Sequence, residues 1–225
     1  MRRVDRRTLF VAGGALAVGA GATEAGNVLA TSTNPARRPP APGEELMTEH
    51  GVLKRILLAY RAIVDRIDAG QRPPRGAVLD AAQIVSDYIE DFHEGLEEAY
   101  VFPRLLRADK QTTLVRTLLV QHDRGRHLTA AILQTGNSDL RLLRTYLDRF
   151  VRMYEPHEAR EDTVVFPTLR AITPQRTLDE LAARFAAEEN TQFGDSALTR
   201  MLQRVGGIEE QLGIADLQNF TPPEM

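Results

Sequence analysis

The chain of 225 residues contains no cysteine. This absence excludes disulfides, thiolate zinc sites, iron–sulfur clusters and an N-terminal lipid-anchor cysteine. Any bound metal must therefore be held by histidine, aspartate, glutamate or tyrosine. Because the chain has only five histidines, their positions carry much of the functional information.

A strong excess of positive charge is also missing. The formal net charge is −3 at pH 7, which predicts neither a nucleic-acid partner nor a surface for anionic membranes. Hydrophobic residues make up 43% and charged residues 26% of the chain, a globular balance. No phosphate loop or nucleotide fingerprint is found, and the sequence does not fix the oligomeric state.

Residues 1–30 are typical of an export signal. A basic start is followed by an uncharged apolar run over residues 9–22 and by the small-residue site Val28-Leu29-Ala30. The pair Arg6-Arg7 followed by Thr8-Leu9-Phe10 resembles a twin-arginine (Tat) signal peptide. We therefore expect export to the periplasm or beyond, with only transient membrane contact. The alternative is a permanent N-terminal membrane anchor.

A proline-rich linker, residues 31–43, follows this leader. It has four prolines within residues 34–43, so it is predicted to be extended, with the folded domain starting near Glu44. Beyond it, apolar residues recur at gaps of three and four in four segments, which indicates amphipathic helices. These segments are 44–69, 76–102, 111–134 and 138–166.

Short loops between long helices favour antiparallel neighbours, so the predicted fold is all-α, an up-down four-helix bundle over residues 44–170. We expect Pro103 to disturb or end the second helix and Pro167 to end the fourth. Residues 171–225 are predicted to form a C-terminal extension. Its two shorter helices should break at Gly194 and near Gly206-Gly207, before an extended tail.

An internal repeat relates two of the predicted helices. Residues 92–103 and 156–167 share His, Glu, Glu, Val, Phe and Pro at the same offsets. A weaker match joins Glu49-His50 in the first helix to Gln121-His122 in the third. The domain is thus interpreted as two related helix pairs, each with a histidine and then a His-x-x-x-Glu motif.

The repeat places metal-binding side chains on helix faces that can converge. Residues four apart lie on one helix face, so each histidine of the motif points the same way as its glutamate. Imidazole binds iron, zinc, copper and nickel, and two carboxylates between histidine groups can bridge two ions. We favour iron, with manganese or zinc as alternatives. The candidate ligands are His50, His93, Glu97, His122, His157 and Glu161.

Over about residues 44–170, this doubled motif resembles the hemerythrin-like (HHE cation-binding) family. The resemblance implies a four-helix bundle around an oxo- or hydroxo-bridged di-iron centre, with the four histidines as terminal ligands and Glu97 and Glu161 as bridges. The oxygen-carrying hemerythrins have a further histidine where this chain has Arg126. His127 would need a local helix bulge to replace it; otherwise one iron keeps an open position.

The sequence leaves three functions open. The first is a di-iron protein outside the cytoplasm that binds or senses O2, NO or peroxide, or senses iron. The second is an enzyme that decomposes peroxide or reduces NO. The third is an iron store or buffer without turnover. No catalytic residue is assigned, and whether the protein is an enzyme stays undecided.

Overall fold

The computed structural model describes residues 40–224, which are helical apart from short connections. The four predicted long helices are present. Helix α1 spans Pro42–Asp68 and α3 spans Thr112–Thr135. Helix α2 begins with Arg75–Ile84 and ends with Phe102–Arg107, and α4 begins with Leu140–Arg160 and ends with Phe166–Ile172. No β-strand occurs among these residues, so the all-α prediction is confirmed.

The four helices form a closed ring around the core. Helix α1 packs against α2 and α4, and α3 also packs against α2 and α4. The connections are short, so neighbours run antiparallel in an up-down bundle. The apolar stripes of the four helices meet in the interior, where Tyr60 of α1 sits edge-on to Phe150 of α4 with ring centroids 5.4 Å apart.

Two of the helices widen into π-helical turns next to the repeated motif. In α2 these turns are Val85–His93 and Glu97–Val101, and in α4 the turn is Glu161–Val165. The last two run from the motif glutamate to the valine before Phe-Pro. A proline offers no N–H and clashes with the carbonyl four residues earlier, and a wider turn accommodates both. Pro103 and Pro167 therefore disturb their helices without ending them, so the predicted helix end at Pro167 was wrong.

Two further helices, α5 over Gln175–Phe193 and α6 over Ala197–Leu212, cover the outside of the bundle. Helix α5 packs on α1, and α6 packs on α1 and α2. The predicted break at Gly194 is confirmed, with φ of 73°. The predicted break near Gly206-Gly207 was wrong, because the flanking Val205 and Ile208 are fully buried and hold α6 continuous. The tail contains a short 3₁₀ turn, Leu217–Phe220.

The predicted leader and most of the predicted linker lie outside the described residues. Between residues 40 and 224, none of the helices combines the length and the apolar character that a membrane crossing requires.

Candidate metal centre

The bundle carries one of the candidate histidines on each of its four helices: His50, His93, His122 and His157, from α1 to α4 in that order. All four are buried, and Glu97 and Glu161 are completely buried beside them. The amphipathic patterns that form the core therefore carry these polar side chains inward as well. Buried charged groups need a compensating partner.

These six side chains form two groups within the bundle. His50, His93 and Glu97 form one group, and His122, His157 and Glu161 form the other. Within each group the ligand atoms lie within 4.8 Å of one another. Each glutamate also reaches the other group: Glu161 Oε2 lies 3.4 Å from His50 Nε2, and Glu97 Oε2 lies 3.5 Å from His122 Nε2. This arrangement suits two metal positions bridged by two carboxylates.

Each histidine also has a partner for its outward-facing Nδ1, supplied by the preceding helix around the ring. The distances are 2.7 Å for His50 to Asp162, 2.6 Å for His93 to Glu49, 2.9 Å for His122 to Glu98 and 2.9 Å for His157 to Gln121. All four partner atoms are acceptor oxygens, so Nδ1 donates in each case. These contacts orient all four rings with Nε2 towards the centre.

Sequence reasoning did not name these four partners, although a signal for them exists. Each one is the sequence neighbour of a candidate ligand on its own helix: Glu49 precedes His50, Gln121 precedes His122, Glu98 follows Glu97 and Asp162 follows Glu161. Adjacent helical residues differ by about 100° in direction. One of each pair therefore points into the bundle while its neighbour reaches the adjacent helix.

The polar atoms at the centre of the bundle face one another at close range. His93 Nε2 lies 3.1 Å from His50 Nε2. An imidazole that binds a metal keeps its proton on Nδ1 and offers the lone pair of Nε2. The carboxylate oxygens of Glu97 and Glu161, together with His122 Nε2, are buried without a hydrogen-bond partner. Such an arrangement is unfavourable on its own, and a cation between these atoms would satisfy them. The donor set, imidazoles plus carboxylates, fits iron and similar transition metals.

Comparison with known families agrees with this geometry. The model of the hemerythrin HHE cation-binding domain matches the chain twice, over residues 41–139 and 113–217. The chain belongs to the hemerythrin HHE cation-binding family. Together the two matches include the whole bundle and α5 and α6, so this domain accounts for nearly all of the described residues.

Two mycobacterial proteins are similar to this hemerythrin-family chain. They are the uncharacterized protein Rv1995 of Mycobacterium tuberculosis strain H37Rv and the uncharacterized protein Mb2018 of Mycobacterium bovis. Each is 44% identical over 186 residues, which cover 80% of this chain and 73% of the relative. No solved structure matches the chain significantly.

The pKa values of the two central glutamates reflect their burial and their neighbours. Burial and repulsion from Glu161 raise the pKa of Glu97 well above its ordinary range. Burial also opposes ionisation of Glu161, but His157, His122 and His50 together outweigh it and hold the pKa of Glu161 well below its ordinary range. Two buried carboxylates that repel each other cannot both ionise cheaply, and a bound cation would remove that conflict.

The pKa values of the histidines are shifted in both directions. Burial lowers the pKa of His50, but the neighbouring Asp162 and Glu161 outweigh it and raise the pKa to about 9. Burial likewise opposes the charged form of His122, yet Glu161 and Glu98 raise its pKa to about 9. Burial, followed by repulsion from His50, holds the pKa of His93 well below its ordinary value. A metal ion must therefore displace protons from some imidazoles and not from others.

The structure does not bring His127 into the centre. Its side chain is 71% exposed, and its Nδ1 lies 2.7 Å from the backbone oxygen of Asp123. Helix α3 is uninterrupted, so it lacks the bulge that ligation by His127 requires. Arg126 instead points inward, with Nη2 2.8 Å from Glu98 Oε1 and 3.1 Å from Glu94 Oε2. The residue one turn after His122 is thus a cation that pairs with carboxylates beside the site.

A further buried pair lies beside the second group. Tyr154 donates its hydroxyl to Glu94 Oε1 at 2.6 Å, and its ring centroid lies 5.2 Å from that of His157. Burial, the largest cause, raises the pKa of Glu94 to about 7, against the opposing pull of His122 and Tyr154. Gly125 makes room for this tyrosine, because a methyl group there would overlap the Tyr154 hydroxyl.

Proposed function

We propose that this hemerythrin-family protein holds a pair of iron ions and uses them to bind or sense O2, NO or peroxide outside the cytoplasm. The observation that carries the proposal is the pair of buried His-His-Glu groups, each linked to the other through a glutamate oxygen. Bound iron would supply the redox-active centre for such ligands. The protein supplies the rings, their orientation and a site shielded from water.

The set of protein ligands leaves room for an additional small ligand. Each group offers two imidazoles and one carboxylate, with a second carboxylate reaching over from the other group. Iron in such sites prefers more donors than these provide. One turn beyond His122 on α3 lies Arg126, whose guanidinium cannot act as a ligand. An exchangeable position at the metal is therefore expected.

The surroundings restrict the size of that ligand. The ring centroid of Phe166 lies 5.6 Å from that of His50, and Phe102 lies 5.4 Å from His122. Both phenylalanines are buried. Together they cover the histidines with apolar rings, one over each group. A diatomic molecule or peroxide fits such surroundings better than a larger substrate does.

An enzyme that decomposes peroxide or reduces NO is the second candidate, favoured by one specific contact. Both reactions need proton transfer near the metal. The pair of Tyr154 and Glu94, 2.6 Å apart and buried beside His122 and His157, offers a group with a pKa of about 7 there. Storage or buffering of iron without turnover is the third candidate. Export through a Tat-type leader is part of the proposal and rests on the sequence of residues 1–30.

The experiment measures metal content first and ligand chemistry second. Protein purified from cells grown with iron is expected to contain iron and to change its absorption spectrum on addition of azide or NO. Consumption of peroxide or NO separates the enzyme from a binding protein, and iron without any spectral response supports storage. The variant His157→Ala should lose metal, whereas the matched control His127→Ala should keep it. A protein that binds no iron, with identical behaviour of the two variants, contradicts the proposal.

A further inference from the structure

The internal repeat relates the surroundings of the two proposed metal positions. The residues that accept from the histidine Nδ1 atoms, here called the outer partners, differ between the two halves at one place. Glu49 of α1 corresponds to Gln121 of α3, since each precedes the histidine of its helix. Glu49 accepts from His93 at 2.6 Å, and Gln121 accepts from His157 at 2.9 Å. One imidazole is thus backed by a carboxylate and its counterpart by a neutral amide.

The other outer partners match in type but not in what neutralises them. Asp162 behind His50 and Glu98 behind His122 are both carboxylates. The oxygen of Glu98 that accepts from His122 also accepts from Arg126 at 2.8 Å. Lys54, the counterpart of Arg126, pairs instead with Glu158 at 3.0 Å. The charge behind His122 is therefore offset by a cation, whereas no lysine or arginine among residues 40–224 pairs with Asp162.

From these contacts we propose that the two metal positions are unequal, and that the position of His50, His93 and Glu97 holds the ion that is harder to reduce. This inference rests on the proposed iron pair. When both ions are ferric, the first electron from an external reductant converts the ion at His122, His157 and Glu161 to ferrous. The second electron then reduces the other ion. A mixed-valence state between the two steps follows from the outer partners.

The physical reason lies in the basicity of the ligands. A metal on Nε2 leaves the proton on Nδ1, and a carboxylate that accepts this proton makes the imidazole a stronger donor. A stronger donor stabilises the more oxidised ion. The first group has two carboxyl groups in this role, Glu49 and Asp162. Burial raises the pKa of Glu49 well above its ordinary range, and a metal cation on His93 would favour its charged form. The second has one amide, Gln121, and one carboxylate whose charge Arg126 offsets.

The test is a redox titration of the iron-loaded full chain, followed by absorption and by the electron paramagnetic resonance signal of the mixed-valence state. Gln121→Glu should lower the potential of the first reduction and leave the second nearly unchanged. Glu49→Gln should raise the potential of the second reduction instead. In both variants the two reduction potentials come closer together. The maximal mixed-valence signal therefore falls towards the fraction of molecules expected for two positions of equal potential.

The double variant Glu49→Gln/Gln121→Glu moves the carboxylate from one half to the other and should bring the two potentials closer together than either single variant does, because Asp162 still backs His50 and Arg126 still offsets Glu98. Arg126→Gln should lower the first potential, and Arg126→Lys, which keeps the charge, should restore it. Arg144→Gln, which removes a surface partner of Asp68, serves as the control and should leave both potentials unchanged.

Two outcomes overturn the inference, and they can be distinguished. If iron is bound but Gln121→Glu and Glu49→Gln leave the separation of the two steps as in the parent protein, only the inequality of the two positions fails. If the parent protein binds no iron, the proposed function fails with it.

Discussion

At the scale of single residues, the centre is a set of side chains that destabilise one another until a cation joins them. Glu97 and Glu161 are buried with unpaired oxygens, and His50 and His93 present facing nitrogens 3.1 Å apart. The same atoms that would hold a metal therefore oppose folding in its absence. The proposed ligand residues therefore differ from ordinary core residues, because they should stabilise the fold only when a metal is bound.

Replacement of Glu97 by Gln should change stability in opposite directions with and without metal. In the metal-free protein the variant removes a buried carboxylate and gives an amide donor to nearby Nε2 atoms, so it should be more stable by about 1–3 kcal/mol. With metal, loss of a bridging ligand should lower both metal content and melting temperature, because metal binding is also folding energy. Calorimetry with and without a chelator measures both effects.

The matched control for Glu97→Gln is Glu155→Gln, which alters an exposed carboxylate paired with Arg61 on the surface. The control should change the melting temperature little in either state, because exposed ion pairs contribute at most about 1 kcal/mol. If Glu97→Gln lowers stability equally with and without metal, Glu97 acts as an ordinary core residue and the bridging role is wrong.

Metal affinity should rise with pH up to about 9, where the pKa values of His50 and His122 lie in the metal-free site. A protonated imidazole cannot bind a metal, so a raised pKa extends proton competition to higher pH. Below that value, affinity should rise by about tenfold per pH unit for each proton displaced. Calorimetric titrations with metal in buffers of different ionisation enthalpy count the protons that are released. A metal affinity that is constant between pH 6 and 9 would contradict this expectation.

At the scale of helices, the sequence predicted which faces point inward but not how the backbone adapts. The repeat placed His93 with Glu97 and His157 with Glu161 correctly on buried faces. The π-helical turns at Glu97–Val101 and Glu161–Val165 could not be predicted from apolar spacing, which does not distinguish a wide turn from a regular one. The Phe-Pro after each turn was the available signal, and it was interpreted as a helix end.

The outer partners escaped prediction for a related reason. Contacts such as Glu49 to His93 and Asp162 to His50 join different helices, and they depend on the rotation of each helix within the ring. Periodicity fixes that rotation only to within the width of an apolar stripe. The six proposed ligands could be identified from the sequence because the repeat marks each of them twice, whereas Gln121 and Arg126 differ from their counterparts Glu49 and Lys54.

Gly125 in α3 should not tolerate alanine, although most helical glycines do. A methyl group there would overlap the Tyr154 hydroxyl and lie 2.8 Å from its Cζ atom. Tyr154 is fully packed and tied to Glu94, so Gly125→Ala should cost about 1–3 kcal/mol of stability. Gly207→Ala in α6, which meets no atom within 4 Å, is the control and should gain up to about 1 kcal/mol. If chemical denaturation gives the same change in unfolding free energy for Gly125→Ala and Gly207→Ala, the space beside Gly125 is not needed for Tyr154.

At the scale of the whole molecule, α5 and α6 belong to the same folded unit as the metal-binding bundle. Phe193 of α5 sits edge-on to Phe92 of α2 with ring centroids 5.4 Å apart, one residue before His93. Arg55 of α1 donates from Nε to Glu209 of α6 at 2.8 Å. The family match also extends through both helices. The extension therefore supports the outer side of the helices that carry His50 and His93.

Truncation of Phe185 should show whether bundle and extension unfold together. Phe185 of α5 is fully buried and contacts Tyr100 of α2, with ring centroids 5.8 Å apart. Phe185→Ala should cost about 3–5 kcal/mol. Because the side chain joins the extension to the helix that carries His93 and Glu97, metal release and loss of helical circular dichroism should shift to lower temperature together. Leu217→Ala, at a position 79% exposed, should shift neither. Loss of helical signal well below the temperature of metal release would show instead that α5 and α6 unfold separately from the bundle.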